Sequence, residues 1–345
     1  MTDNATKQTV LVTGASGFIA THCIQQLLEH GYAVRGTLRS MNRVEEVRKA
    51  VGDTTSAIVF FETDLETDTN WCEAMTGVSY VLHVASPFPA EQPDDPDVLV
   101  RPARDGALRV LKVAKDAGVR RVVMTSSMAS VMADRGKPAR HVYTESDWTD
   151  ITDKHVTPYE KSKTIAEQAA WDFVKQESGP ELVTILPGGV LGPLLSPDYS
   201  ASADLVRLLM ERAMPACPRL GFNLIDVRDV AAAHLAAMTA QGVGGERFVC
   251  AVEPIWLKEV AAILDKTYAP DGWKIPTGAL PDFIVKIGAF FDPTLKRIAP
   301  FLGRQSQVDY SKLKSQLGVN PIGNQEMILA MAESLIAHGV VTKSK

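Results

Sequence analysis

The segment Thr9–Ala20, TVLVTGASGFIA, constrains the fold more than any other part of the chain. A β-rich apolar run enters a turn containing Gly14 and Gly17, and an amphipathic stretch through Gln26, Leu27 and Leu28 then ends at Gly31. This pattern predicts strand, tight turn and helix, with Gly31 closing the helix. Without side chains at Gly14 and Gly17, a pyrophosphate can approach backbone N–H groups at the positive end of that helix. A small third residue, Ala20, lets the helix pack close to the strand. The spacing is G-x-x-G-x-x-A, which differs from the G-x-G-x-x-G fingerprint.

Strand-like and helical segments then alternate as far as Pro187. Strands are expected over 33–39, 57–61, 78–85, 121–127 and 182–187, with helices from Val98 to Gly118 and from Tyr159 to Glu177. Such alternation predicts an α/β protein with a Rossmann-type, doubly wound parallel sheet. Ligands of such sheets lie beyond the carboxyl ends of the strands, where Gly14, Ala85, Ser86, Ser127 and Pro187 all fall. Residues 1–187 are therefore expected to form the dinucleotide-binding domain, with 223–252 returning to it. Segments 188–222 and 253–345 are expected to build a smaller C-terminal substrate lobe, in which Phe283, Phe290, Phe291 and Phe301 pack a pocket or a partner surface. Asp226, Arg228 and Asp229 read as turn and cap residues.

The second strand selects the dinucleotide. An acidic residue at its end would hold the ribose 2′-hydroxyl of NAD, but this sequence has Arg39, followed by Ser40 and Arg43. A carboxylate there would repel a 2′-phosphate, whereas guanidinium groups bind one through charge-assisted bonds. NADP(H) is therefore expected over NAD(H).

At 345 residues and a net charge of -5, the chain is large enough for an α/β core and shows no basic surface for nucleic acid or anionic membrane. Its first eight residues lack the apolar stretch of a signal peptide, and no apolar run reaches membrane-spanning length. Cys23, Cys72, Cys217 and Cys250 have no paired spacing and read as reduced thiols, and no metal constellation is expected. A cytoplasmic protein is expected, as monomer or homodimer.

In Tyr159-Glu160-Lys161-Ser162-Lys163, the tyrosine and the second lysine are four residues apart and share a helix face. A phenol, with its ordinary pKa of ~10, is a poor acid–base group at neutral pH. A neighbouring ammonium is expected to lower it toward the useful range. The Ser126–Ser127 pair lies between this motif and the glycine turn, its two side chains facing opposite sides of a strand.

Together these segments resemble the extended short-chain dehydrogenases/reductases, in the dihydroflavonol-reductase-like branch that includes plant cinnamoyl-CoA reductases and yeast carbonyl reductases. The resemblance rests on TGASGFIA at 13–20, DL at 64–65, HVASPF at 83–88, TSS at 125–127, YEKSK at 159–163, PGGVLGP at 187–193 and IDVRDVAAAH at 225–234. It implies a catalytic triad of Ser127, Tyr159 and Lys163, choosing the second serine, with Tyr159 and Lys163 also meeting the cofactor and Lys163 holding the nicotinamide ribose hydroxyls. It also implies that Gly14, Ser16, Gly17, Phe18 and Ile19 hold the pyrophosphate and that Asp64 and Leu65 flank the adenine. Ala85 and Ser86 would meet the cofactor where the fourth strand ends, with Pro187 and Val190 around the carboxamide.

Plant dihydroflavonol reductases carry an asparagine where this chain has Met132, which cannot replace a two-way hydrogen-bonding amide. Phe88, Met128, Met132 and Tyr199 instead suggest an adaptable apolar pocket for aldehydes, ketones, keto esters or diketones. Two other functions share parts of this pattern: an NAD-dependent nucleotide-sugar epimerase or dehydratase, and a non-catalytic NADP-sensing protein.

Overall fold

The computed structural model describes residues 7–87, 93, 95–133, 137 and 141–343. Phe88 lies outside the described residues. Strands β1 (Thr9–Val12), β2 (Ala33–Leu38), β3 (Val59–Glu62), β4 (Tyr80–His83), β5 (Arg121–Thr125), β6 (Glu181–Pro187) and β7 (Arg247–Cys250) form one seven-stranded sheet in the order 3-2-1-4-5-6-7. Every pairing in it is parallel. Helices α1 (Phe18–Glu29), α2 (Val44–Val51), α3 (Trp71–Met75), α4 (Asp97–Asp116), α5 (Ala129–Met132), α6 (Pro158–Gln176) and α7 (Val227–Thr239) supply most of the cover.

The side-chain period of a strand divides the core between the two faces. Val10 and Val12 pack with α1 and α7, while Leu11 points the other way, to α3, α4 and α6. The same alternation holds for Val81 against Tyr80 and Leu82, and for Val122 against Val123. Strands buried on both faces read as continuous apolar runs. Burying each Val or Leu side chain contributes roughly 1.5–3 kcal/mol.

The order in which successive strands are added reverses between β1 and β4, and a crevice opens beyond their carboxyl ends. β7 lies at the sheet edge beside β6, paired Arg247 to Thr184 and Cys250 to Pro187. After β6 the chain is joined by two-residue and three-residue pairings: Gly189–Leu191 with Leu224–Asp226, Cys217–Pro218 with Ala279–Leu280, and Gln307–Val308 with Val142–Tyr143. Of the aromatic residues beyond residue 280, expected to pack a pocket or a partner surface, three are largely exposed. Phe290 and Phe291 are 85% and 86% exposed and Phe283 is 64% exposed. They sit on and after a helix of only seven residues, Asp282–Gly288, which buries Val285 alone.

Candidate active site

A cleft of about 580 Å³ runs along the carboxyl ends of β1, β2, β4, β5 and β6. Gly14, Ser16, Gly17, Phe18, Ile19, Arg39, Arg43, Asp64, Leu65, Ala85, Ser86, Ser127, Tyr159, Lys163, Pro187, Val190 and Tyr199 all line it. The fold thus brings residues separated by more than half the chain to a single surface.

At one end is the glycine turn. Gly14 has φ +67°, and a Cβ there would sit 3.0 Å from the Ala85 Cβ, so both conformation and space exclude a side chain. Its N–H donates to Thr37 Oγ1 at 3.2 Å, while the Ala85 N–H donates to Thr13 Oγ1 at 3.0 Å. Gly17 is the N-cap of α1 and offers no side-chain cap, and the first turn carries no acid. The N–H groups of that turn are left for an anion, and the helix dipole favours one. A side-chain-free turn against an uncapped helix start fits the diphosphate of a dinucleotide.

The two arginines of this end differ. Arg39 is exposed and makes no hydrogen bond or ion pair among the described residues. Arg43 is engaged: it donates to Ser16 Oγ at 3.0 Å, to Glu46 at 2.6 and 3.0 Å and to Asp198 Oδ2 at 2.7 Å. Those carboxylates raise its guanidinium further above its ordinary pKa. On the adjoining wall, Trp71 Nε1 donates to the Asp64 carbonyl at 2.9 Å, and Asp64 Oδ1 caps the Glu66 N–H at 2.8 Å. Trp71 and Thr37 were missed by sequence reasoning, because neither lies in a motif and only the folded chain brings them to the cleft.

At the other end, α6 begins with a capping box. Thr157 Oγ1 accepts from the Glu160 N–H at 3.3 Å, and Glu160 accepts from the Thr157 N–H at 2.6 Å, with Pro158 in the first turn. Such a cap stabilises a helix start by about 1 kcal/mol, and here it fixes the turn that carries Tyr159. The hydroxyls of Tyr159 and Ser127 are hydrogen-bonded, and Ser127 Oγ also accepts from the Ala129 N–H at 3.1 Å. Lys163 Nζ lies 6.0 Å from the Tyr159 ring centre. Ser126 faces the opposite way, donating to Glu167 at 2.6 Å.

The electrostatics depart from the sequence expectation. Removal from water raises the Tyr159 phenol above its ordinary value, with the Ser127 hydrogen bond opposing and Glu160 adding to the rise. Burial also pushes Lys163 down to about 8, against the pull of Glu167. Desolvation disfavours both charged forms at once, so the ammonium does not lower the phenol as its position on the helix suggested. His83, buried under the cleft and bonded to Thr13 Oγ1 at 2.9 Å, is held down at about 3 by burial and by Lys163.

The substrate residues are only partly assembled. Tyr199 lines the cleft, with Arg207 5.9 Å over its ring. Met128 does not: it is 3% exposed and packs with Val131, Tyr143, Leu186, Val249 and Ala251. Met132 is half-buried against that same cluster. Both belong to α5 or its N-terminal cap and lean onto β6 and β7, a direction that spacing in the sequence does not reveal.

A glycine turn at the switch point of a parallel sheet, with Ser127, Tyr159 and Lys163 at the far end of the same cleft, defines a dinucleotide-binding α/β protein. The chain belongs to the NAD dependent epimerase/dehydratase family, among the extended short-chain dehydrogenases/reductases; the family profile matches residues 10–251. It is 36% identical to cinnamoyl-CoA reductase 2 of Medicago truncatula over 273 residues, covering 78% of this chain and 79% of that protein. It is 32% identical to the bifunctional dihydroflavonol 4-reductase/flavanone 4-reductase of Malus domestica over 281 residues, covering 78% of each. Among solved structures, it resembles the yeast methylglyoxal/isovaleraldehyde reductase Gre2 complexed with NADPH. That match has a TM-score of 0.79 and 28% identity, and covers 97% of this chain and 100% of that one.

Proposed function

We propose that this oxidoreductase is an NADPH-dependent carbonyl reductase that converts an apolar or aromatic aldehyde, ketone, keto ester or diketone to the alcohol. The observation that carries the reading is the single cleft with a free Arg39 at the glycine-turn end and the bonded Ser127–Tyr159 pair beside Lys163 at the other. Relatives named as reductases, and a structural neighbour that binds NADPH, support it.

Gly14, Gly17 and the first turn of α1 would hold the diphosphate, Arg39 the 2′-phosphate, and Asp64 and Leu65 the adenine, with Pro187 and Val190 near the carboxamide. NADPH, when bound, supplies the hydride. Ser127 and Tyr159 would donate hydrogen bonds to the carbonyl oxygen and polarise it. Because burial keeps the phenol protonated, Tyr159 enters the reaction as the acid and gives its proton to the developing alkoxide. Lys163 would stabilise the phenolate left behind. Each contact strengthens as charge develops, so it acts on turnover more than on binding. Segments 188–222 and 253–345 are proposed as the lobe that closes on the carbonyl compound, with Tyr199 on its border.

NADPH consumption against a panel of aldehydes, ketones and diketones tests the reading, with Tyr159→Phe alongside. Turnover should fall about 10²- to 10⁴-fold in the variant while NADPH binding stays within about twofold. A nucleotide-sugar epimerase would instead show no net NADPH consumption, and an NADP sensor would bind cofactor without turnover. Either result refutes the reductase.

A further inference from the structure

One turn beyond Lys163, α6 carries Glu167, a carboxylate with 0% exposure that no motif covers. Its Oε1 accepts from Arg247 Nε at 2.8 Å, Thr184 Oγ1 at 2.8 Å and Trp171 Nε1 at 3.3 Å. Its Oε2 accepts from Ser126 Oγ and Ser130 Oγ, both at 2.6 Å, and from Arg247 Nη2 at 3.3 Å. Arg247, on β7, also donates through Nη1 to the carbonyls of Glu145 at 2.6 Å and Asp147 at 2.8 Å and through Nη2 to Ser130 Oγ at 3.3 Å, and stacks 3.7 Å over Trp148.

A buried ion pair this well satisfied can be explained by stability alone, as a tie between the edge strand and α6. Two features go further. Ser126 and Ser130 bracket Ser127, and the one Ser130 hydroxyl proton is shared between Glu167 and the Ser127 carbonyl 2.8 Å away, so Glu167 contacts both ends of the turn that aims the Ser127 hydroxyl at Tyr159. The second is position, since Tyr159, Lys163 and Glu167 follow at four-residue spacing along one helix face.

We propose that Glu167 is a positioning residue of this site: its carboxylate locks the turn bearing Ser127 and supplies the negative charge that keeps Lys163 a cation in a water-poor cleft. This rests on the Ser127–Tyr159–Lys163 reading above. Glu167 is the group that raises Lys163 against burial. Among the described residues, charged and titratable groups also lie on the elements packed around the lysine. On its own helix these are Tyr159 and Glu160. From β4 comes His83, which is held neutral, and from β7 comes Arg247, bound to Glu167. On α4, which packs on α6, Arg104, Arg109 and Lys115 are paired with Asp105, Asp68 and Glu177.

The test reads Lys163 directly in the cofactor-free protein, by NMR titration of ¹³C-dimethylated lysines, its signal assigned by loss in Lys163→Arg. In Glu167→Gln the midpoint should fall by about one pH unit, and the alkaline limb of kcat should move down with it. Turnover should drop about ten- to a hundredfold with little change in NADPH affinity. Because that variant strands Arg247, Glu167→Leu with Arg247→Met is made as well, an apolar replacement of the whole pair that such sites tolerate. A smaller downward shift of the midpoint is expected there, because the Arg247 cation leaves with the carboxylate. Thr184→Val, which removes one donor but leaves the charge, should lower melting temperature and leave the midpoint in place. Loss of stability in the Glu167 variants with an unmoved Lys163 midpoint overturns the proposal. A shifted midpoint in a protein that reduces no carbonyl supports the coupling and refutes the reductase reading instead.

Discussion

Replacing Asp229 by asparagine should stabilise the protein, and only above mildly acidic pH. Asp229 is 6% exposed on α7, accepts from the Ile322 N–H at 2.7 Å, and lies near Asp226 and Glu326. Burial, with help from those two carboxylates, raises it from 3.8 to about 6, against the pull of the Ile322 bond and Arg228. A carboxyl whose folded value is raised favours the folded state below about pH 4 and loses that contribution as pH climbs through 6. At ~1.4 kcal/mol per pH unit, the ionised side chain costs ~3 kcal/mol at pH 8. Asparagine keeps the acceptor for Ile322 but buries an amide donor, so a net gain of about 2 kcal/mol at pH 8 is expected. With an unfolding entropy of ~2.1 cal/mol/K per residue, a chain of 345 residues should melt about 3 °C higher. Differential scanning calorimetry of both proteins from pH 4 to pH 8 measures this. A gain equal at both ends, or a loss at pH 8, would refute the reasoning, since the effect must follow ionisation of this one group.

Three further predictions concern the nucleotide end. Arg39→Asp should weaken NADPH about ten- to a hundredfold and leave NADH within a few-fold, read by fluorescence titration. Arg43→Ala should cost less NADPH affinity, because Arg43 already serves Glu46 and Asp198; equal losses would show that both arginines read the phosphate. Gly14→Ala should weaken both dinucleotides and lower the melting temperature, since φ +67° costs an L-residue roughly 1–2 kcal/mol and the new methyl meets Ala85. An unchanged affinity would remove the turn from the binding site.

Much of the architecture was legible because local patterns carried it. The run at 9–31 already specifies β1, the turn and α1, and the alternation after it specifies a parallel sheet, since parallel neighbours require a crossover between them. Boundaries moved by a residue or two, as at β3, expected from 57 and found from Val59. The cleft-lining positions also followed, because strand ends in such a sheet converge wherever their helices begin. Side-chain direction did not follow. Met128 reads as a pocket residue and packs instead against Leu186 and Val249, while Phe290 and Phe291, which read as pocket or partner-surface residues, stand exposed. Nothing in a composition or a spacing says which neighbour a flexible side chain will lean on.

The linear chain by itself determined the sheet, the glycine turn, the arginine-ended second strand and the pairing of Tyr159 with Lys163, each of which depends on residues close in sequence. Tertiary structure alone decided three things. Burial raises the phenol and lowers the lysine, reversing what a helix face in water implies. Arg39 is left open while Arg43 is tied to Asp198, a contact across 155 positions. Glu167 meets Arg247 across 80 positions and two serines beside the third member of the site. Charge and burial act through space, over distances that sequence order does not measure, and so the chemistry of the cleft is set only once the sheet has closed.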